Sequence, residues 1–215
     1  MNILLSSAYI PSISYLSLFT LEFPIYWDPW ENFQKQSFRN RSHILSPNGI
    51  LVLSVPVQKT SRRGTPMKEV RISYEYRWQR EQWMSLQSAY RRSSYFEYYE
   101  DQIQPFFEKP YEFLWDLNLE WIGFFQKSFQ GIHALNITDS YKNPYESSFE
   151  DFREIIHPKR LRGIEAPSYP QVFDFEGKFY EEMSVLDLLF NQGPRGINYL
   201  KALGNHAFSS YLNRI

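Results

Sequence analysis

The chain has 215 residues, with 23 basic and 24 acidic side chains and a formal net charge of -1. That balance argues against nucleic acid as a partner, which would call for a broadly basic domain. Cysteine is absent, which removes disulfide frameworks and thiolate chemistry.

"NILLSSAY" (2–9) opens with a short apolar run that reads as a buried strand stopped by Pro11. "SISYLSLFTLEF" (12–23) has apolar residues at 15, 16, 18, 19 and 23, a helical face with Ser12 or Ser14 as N-cap. Pro24 closes it, and "IYW" (25–27) forms the next strand. Strand, helix, strand predicts a βαβ-like opening and an α/β class with a mixed sheet. The N-terminus lacks the basic region of a signal peptide, and no apolar run approaches the roughly 20 residues of a membrane span. The expectation is a cytoplasmic protein without a membrane span.

"SPNGILVLSVPV" (46–57) places a Pro-Asn-Gly turn before a β-rich run, predicting a hairpin of residues 38–44 and 50–55. "TSRRGTPMKE" (60–69) reads as a basic loop and "VRISYEY" (70–76) as another strand. From Trp78 the pattern turns helical, with amphipathic segments through about residue 129 broken at Pro105 and Pro110. "GIHALNIT" (131–138) reads as a strand, and residues 139–182 as a long irregular segment. Such segments in compact domains are more often functional than idle. "MSVLDLLFNQGP" (183–194) is a helix with Ser184 as N-cap, and the tail adds a C-terminal helix. The whole of 1–215 is expected to form a single domain.

No GxGxxG, Walker, GxSxG or HExxH motif is present, and the four histidines lack metal-ligand spacing, so cofactor and metal stay unassigned. Phosphate binding would then rest on side chains. "QKQSFRNRSHI" (34–44) carries Lys35, Arg39, Arg41 and His43 with no acid. On a strand, Arg39, Arg41 and His43 would share one face with Asn40 turned to the other. Guanidinium forks suit bidentate capture of phosphate or carboxylate. The competing reading is an edge strand guarded by cations.

"SSAYIPSISYL", "WENFQKQSFRNRSHI", "NGILVLSVPV", "WQREQWMSLQSAYRRSSYFEYYED", "DLN", "YPQVF" and "MSVLDLLFNQGP" resemble, in order, segments of the WbqC-like family, in its Bacteroidetes-type branch. The resemblance runs from about residue 3 to 200. It implies a bacterial cytoplasmic protein connected with surface-polysaccharide precursors, and it brings no catalytic residues to carry over. Relatives have a His-containing segment where this chain has Ser6 and Ser7, and a His near Gln82–Trp83; neither is here, which argues against a histidine mechanism.

Two functions compete on these residues. One is a transferase acting on a phosphorylated or nucleotide-activated small substrate, such as a sugar nucleotide. Lys35, Arg39, Asn40 and Arg41 would hold the anionic group. Tyr9, Tyr90, Tyr98 and Tyr99 would line the ligand, and Glu31, Glu97 or Asp187 would serve as general base if burial raises its pKa. The other is a non-catalytic binding or assembly module with a protein partner, built on aromatics that favour interfaces.

Overall fold

A computed structural model describes residues 1–61, 64–143, 148–157, 167–173 and 177–212. The parallel sheet begins with β1 (Asn2–Leu5) and β2 (Ile25–Trp27), whose apolar side chains are almost wholly enclosed. They pair in parallel, Ile3 opposite Ile25 and Leu5 opposite Trp27. Between them lie α1 (Ile13–Ser17) and a 3-10 turn (Leu18–Thr20), giving the βαβ opening. Ser12 caps α1, its Oγ accepting from the Tyr15 N–H at 3.3 Å. The strand ends at Leu5, well before Pro11, because the loop 6–12 is tied down by side chains. Tyr15 donates to the Ser6 carbonyl at 2.6 Å and accepts from Trp27 Nε1 at 2.5 Å.

β3 (Arg41–Ser46) and β4 (Gly49–Ser54) form the expected hairpin, antiparallel from Arg41 opposite Ser54 to Ser46 opposite Gly49. Gly49 turns the chain at φ +98°, a conformation that costs other residues. Both pairing senses therefore occur, parallel in the larger sheet and antiparallel in the hairpin. Residues 70–76 form no strand. Arg71 and Ile72 make isolated bridges to Phe113 and Val57, because a 3-10 turn (Met67–Glu69) redirects the chain just before them.

The helical middle consists of α2 (Trp78–Tyr90), α3 (Phe96–Ile103) and α4 (Leu114–Ser128). Trp121 on α4 anchors it, stacked on Phe106 with ring centroids 4.0 Å apart and on Phe125 at 5.7 Å. β5 (Leu135–Ile137) and β6 (Phe149–Asp151) complete a parallel sheet of order β5-β2-β1-β6. β6 lies inside the segment expected to be irregular. Three residues of "FED" carry no visible strand period, and only pairing with β1 makes them one. Residues 158–166 of that segment lie outside the described residues, as do Arg62 and Arg63 of the basic loop.

α5 (Val185–Gln192) and α6 (Gly196–Leu212) close the fold, α6 crossing α1. The crossing is tight: a Cβ on Gly204 would sit 2.9 Å from the Ser17 carbonyl oxygen. The large buried side chains form one continuous cluster. Among the described residues no helix is long and apolar enough to cross a membrane.

Candidate functional site

In parallel sheets the carboxyl ends of the strands collect functional groups, and here they gather charge. Asp28 follows β2, Thr138 follows β5, and Asp151 ends β6 with Arg153 just beyond. Arg153 NH1 reaches Asp28 Oδ2 at 2.8 Å, and its NH2 reaches Asp151 Oδ2 at 2.6 Å. Asp28 also accepts from Thr138 Oγ1 and from the backbone N–H groups of Trp30 and Lys142. These ions satisfy one another; they hold the loops together.

Arg39 belongs to the same internal network, and this corrects the expectation that it faces a ligand beside Arg41. β3 starts only at Arg41, so Arg39 is not on the strand. Its Nε and NH2 reach Glu31 Oε1 at 3.1 Å and Oε2 at 2.6 Å, and Glu154 Oε1 lies 3.8 Å away. The side chains of Arg39 and Glu31 are 2% and 4% exposed. Asn118 Nδ2 fixes the Arg39 carbonyl at 2.9 Å. Burial pushes the Glu31 carboxyl above its ordinary pKa despite the Arg39 charge that pulls the other way. A carboxylate clamped by a guanidinium is a poor general base for an outside substrate.

The cations with open surface lie next door. Lys35, Arg41 and Lys59, with Asn40 and Gln58, line a cleft of about 320 Å³ between the loop before β3 and the segment after β4. No carboxylate lines it, and among the described residues none forms an ion pair with these three cations. Asn40 is 8% exposed; its Nδ2 donates to the Val55 carbonyl at 2.9 Å, while Oδ1 is left without a partner. Arg41 Nε is likewise unpaired. Gln36, on the rim, holds φ +61°, a left-handed conformation unusual outside glycine. Three positive groups and no acid suit an anion.

The other expected residues do not converge there. Tyr9 is buried, donates to Gln82 Oε1 at 2.6 Å and meets Trp121 edge to face. Tyr90 is buried and accepts from the Leu45 N–H at 3.1 Å. Both are core residues; burial pushes their pKa values well up, helped at Tyr90 by the Asp187 charge. Tyr98 and Tyr99 line a separate cleft of about 430 Å³ with Gln102 and Lys127. Burial, and then Tyr98, takes the Tyr99 hydroxyl up to about 12. Glu97 is exposed on α3.

Asp187 is fully enclosed on α5. Its Oδ2 accepts from the Tyr169 hydroxyl at 2.5 Å and from Gln171 Nε2 at 2.9 Å, while Oδ1 has no hydrogen-bond partner. Burial raises its pKa, and the Tyr169 and Gln171 hydrogen bonds oppose that rise. It lines neither of the two clefts above.

Lys59 and Gln58 of the basic cleft went unmarked in the sequence reading, although the basic run after the hairpin was visible. Tyr169 and Gln171, the Asp187 partners, stand in an irregular stretch without period; only the resemblance segment "YPQVF" touched them, and it assigned them no role. Among the described residues no group of three or more His, Asp or Glu could hold a metal ion.

The fold and cleft define an α/β protein with a parallel sheet and an acid-free basic pocket beside its hairpin. Residues 7–157 match the WbqC-like protein family, and the chain belongs to that family. It is also similar to the uncharacterized protein Rv1507c of Mycobacterium tuberculosis (strain ATCC 25618 / H37Rv). The two are 25% identical over 226 residues, covering 92% of this chain and 96% of that protein. No solved structure matches it.

Proposed function

We propose that the protein binds a small phosphorylated ligand in the cleft of Lys35, Asn40, Arg41 and Lys59. One observation carries this reading: three cations face the cleft without an acid, whereas the buried guanidiniums of Arg39 and Arg153 are fully paired. A volume of about 320 Å³ lies at the small end of ligand sites. It suits a phosphorylated monosaccharide, and the nucleoside of a sugar nucleotide would extend beyond the walls. The phosphate would meet Lys35, Arg41 and Lys59.

A transferase in surface-polysaccharide precursor metabolism is compatible with such a ligand, but no carboxylate lines the cleft to serve as base. Binding is therefore the primary reading. The alternative, a non-catalytic module of a glycan-synthesis complex, is favoured by exposed apolar side chains on β4 and α2, among them Ile50, Val52 and Met84.

Calorimetry and thermal shift against inorganic phosphate, monosaccharide phosphates, sugar nucleotides and neutral sugars would test it. Saturable binding of the phosphorylated sugars alone is expected. A charged hydrogen bond is worth about 1.5–3 kcal/mol, so Arg41→Ala should weaken binding about tenfold or more. Absence of binding across the panel, or affinity unchanged in Lys35→Ala with Arg41→Ala, would sink the proposal.

A further inference from the structure

β4 presents a backbone edge whose direction follows from three contacts of its hairpin partner. Leu45 N–H goes to the Tyr90 hydroxyl, His43 C=O accepts from Ser184 N–H, and Asn40 C=O accepts from Val55 N–H. Antiparallel pairs alternate between bonded and non-bonded, so Leu45–Ile50, His43–Val52 and Arg41–Ser54 are the non-bonded ones. The N–H and C=O groups of Ile50, Val52 and Ser54 therefore point away from β3.

That outward edge faces α2. Gln82 on α2 donates through Nε2 to the Ser54 carbonyl at 2.9 Å, occupying the place an added strand would take. At Ile50 and Val52 no described residue supplies a partner. Two clefts of about 520 and 220 Å³ run between β4 and α2 on this side. Their walls include Leu51, Met84 and Tyr76, and Glu81 lines both. Ile50, Val52, Met84 and Tyr76 are each 47–56% exposed. β4 also lacks the Lys, Pro or bulge that blunts an open edge.

We infer that this groove receives an extended peptide segment of a partner protein, added antiparallel or parallel to β4, with a Lys or Arg side chain between apolar neighbours. Its backbone pairs with Ile50 and Val52, as in strand addition generally. Its apolar side chains cover Leu51, Met84 and Tyr76. The basic residue answers Glu81, the single acid on both halves of the groove, which no described cation pairs. A second copy of β4 would bring the same uncharged edge and leave Glu81 unanswered. The inference does not depend on the anion cleft.

The test is selection from a displayed library of random octapeptides on the immobilised full chain, with anisotropy titration of the recovered sequences. Recovered peptides should carry a Lys or Arg between apolar residues. Val52→Pro removes the outward N–H and no hydrogen bond of the hairpin, so it should weaken them at least tenfold with the melting transition retained. N-methylating the peptide backbone at alternate residues should do the same without altering the protein. Glu81→Gln should erase the preference for a basic residue. No enriched sequence, enrichment without a basic residue, indifference to both Val52→Pro and N-methylation, or a β4-paired dimer would each overturn it.

Discussion

Glu31 and Arg39 face each other through two hydrogen bonds, at 3.1 and 2.6 Å, with both side chains almost entirely out of solvent. Breaking a buried ion pair from one side leaves an uncompensated charge, at a cost of about 3–5 kcal/mol. Arg39→Met should therefore lower the urea unfolding free energy at neutral pH by that amount. The double variant Glu31→Met with Arg39→Met should recover much of it, since no buried charge is stranded. A double variant as unstable as the single one would show that the pair does more than neutralise itself.

Asp187 should make the protein less stable as pH rises. Its folded pKa stands above the ordinary value of 3.8, so the native state keeps its proton to higher pH than the unfolded chain does. More protons on the native state means stability that is full below about pH 4 and declines as pH rises through the raised value. Glu31 contributes with the same sign. Urea midpoints measured across that window should slope downward, and Asp187→Asn should flatten the slope. An unchanged slope in that variant would locate the proton uptake elsewhere.

Gln36 sits at φ +61° on the exposed rim of the basic cleft. Left-handed backbone costs a non-glycine residue about 1–2 kcal/mol, partly offset by the extra chain entropy glycine loses on folding. Gln36→Gly should raise the unfolding free energy slightly, by up to about 1 kcal/mol. Gln36→Val, β-branched and intolerant of positive φ, should lower it. Chemical denaturation of the two variants distinguishes backbone strain from side-chain contact.

Ligand binding in the basic cleft should be salt-sensitive. Lys35 and Lys59 are exposed and Arg41 is half-buried, so their attraction for an anion is screened at ionic strengths where the Debye length falls to about 8 Å or less. Raising sodium chloride from low to physiological concentration should weaken a phosphorylated sugar several-fold in calorimetry. Salt-independent affinity would mean that the anionic group is not what the cleft holds.

Parts of this were legible in the residues. Pro47-Asn48-Gly49 before "ILVLS" announces a turn and a strand because both signals are local. Of the acid-free block, Lys35, Asn40 and Arg41 line one cleft. Arg39 misled because its partner stands eight residues back, in a segment whose fold toward it no period betrays. Tyr9 and Tyr90 misled for a related reason: a tyrosine looks the same in a pocket and in a core whose hydroxyl partner is Gln82 or a Leu45 N–H.

The sequence by itself determined the βαβ opening, the hairpin, the helical middle and the local surplus of positive charge, since each rests on neighbours in the chain and on side-chain period. Only the tertiary structure decided that β6 joins β1, that Arg39 turns inward while Arg41 turns outward, and that α2 leaves two residues of the β4 edge uncovered. Those outcomes depend on which carboxylate or amide arrives from a distant segment. Burial and pairing are properties of that arrival, not of the residue that receives it.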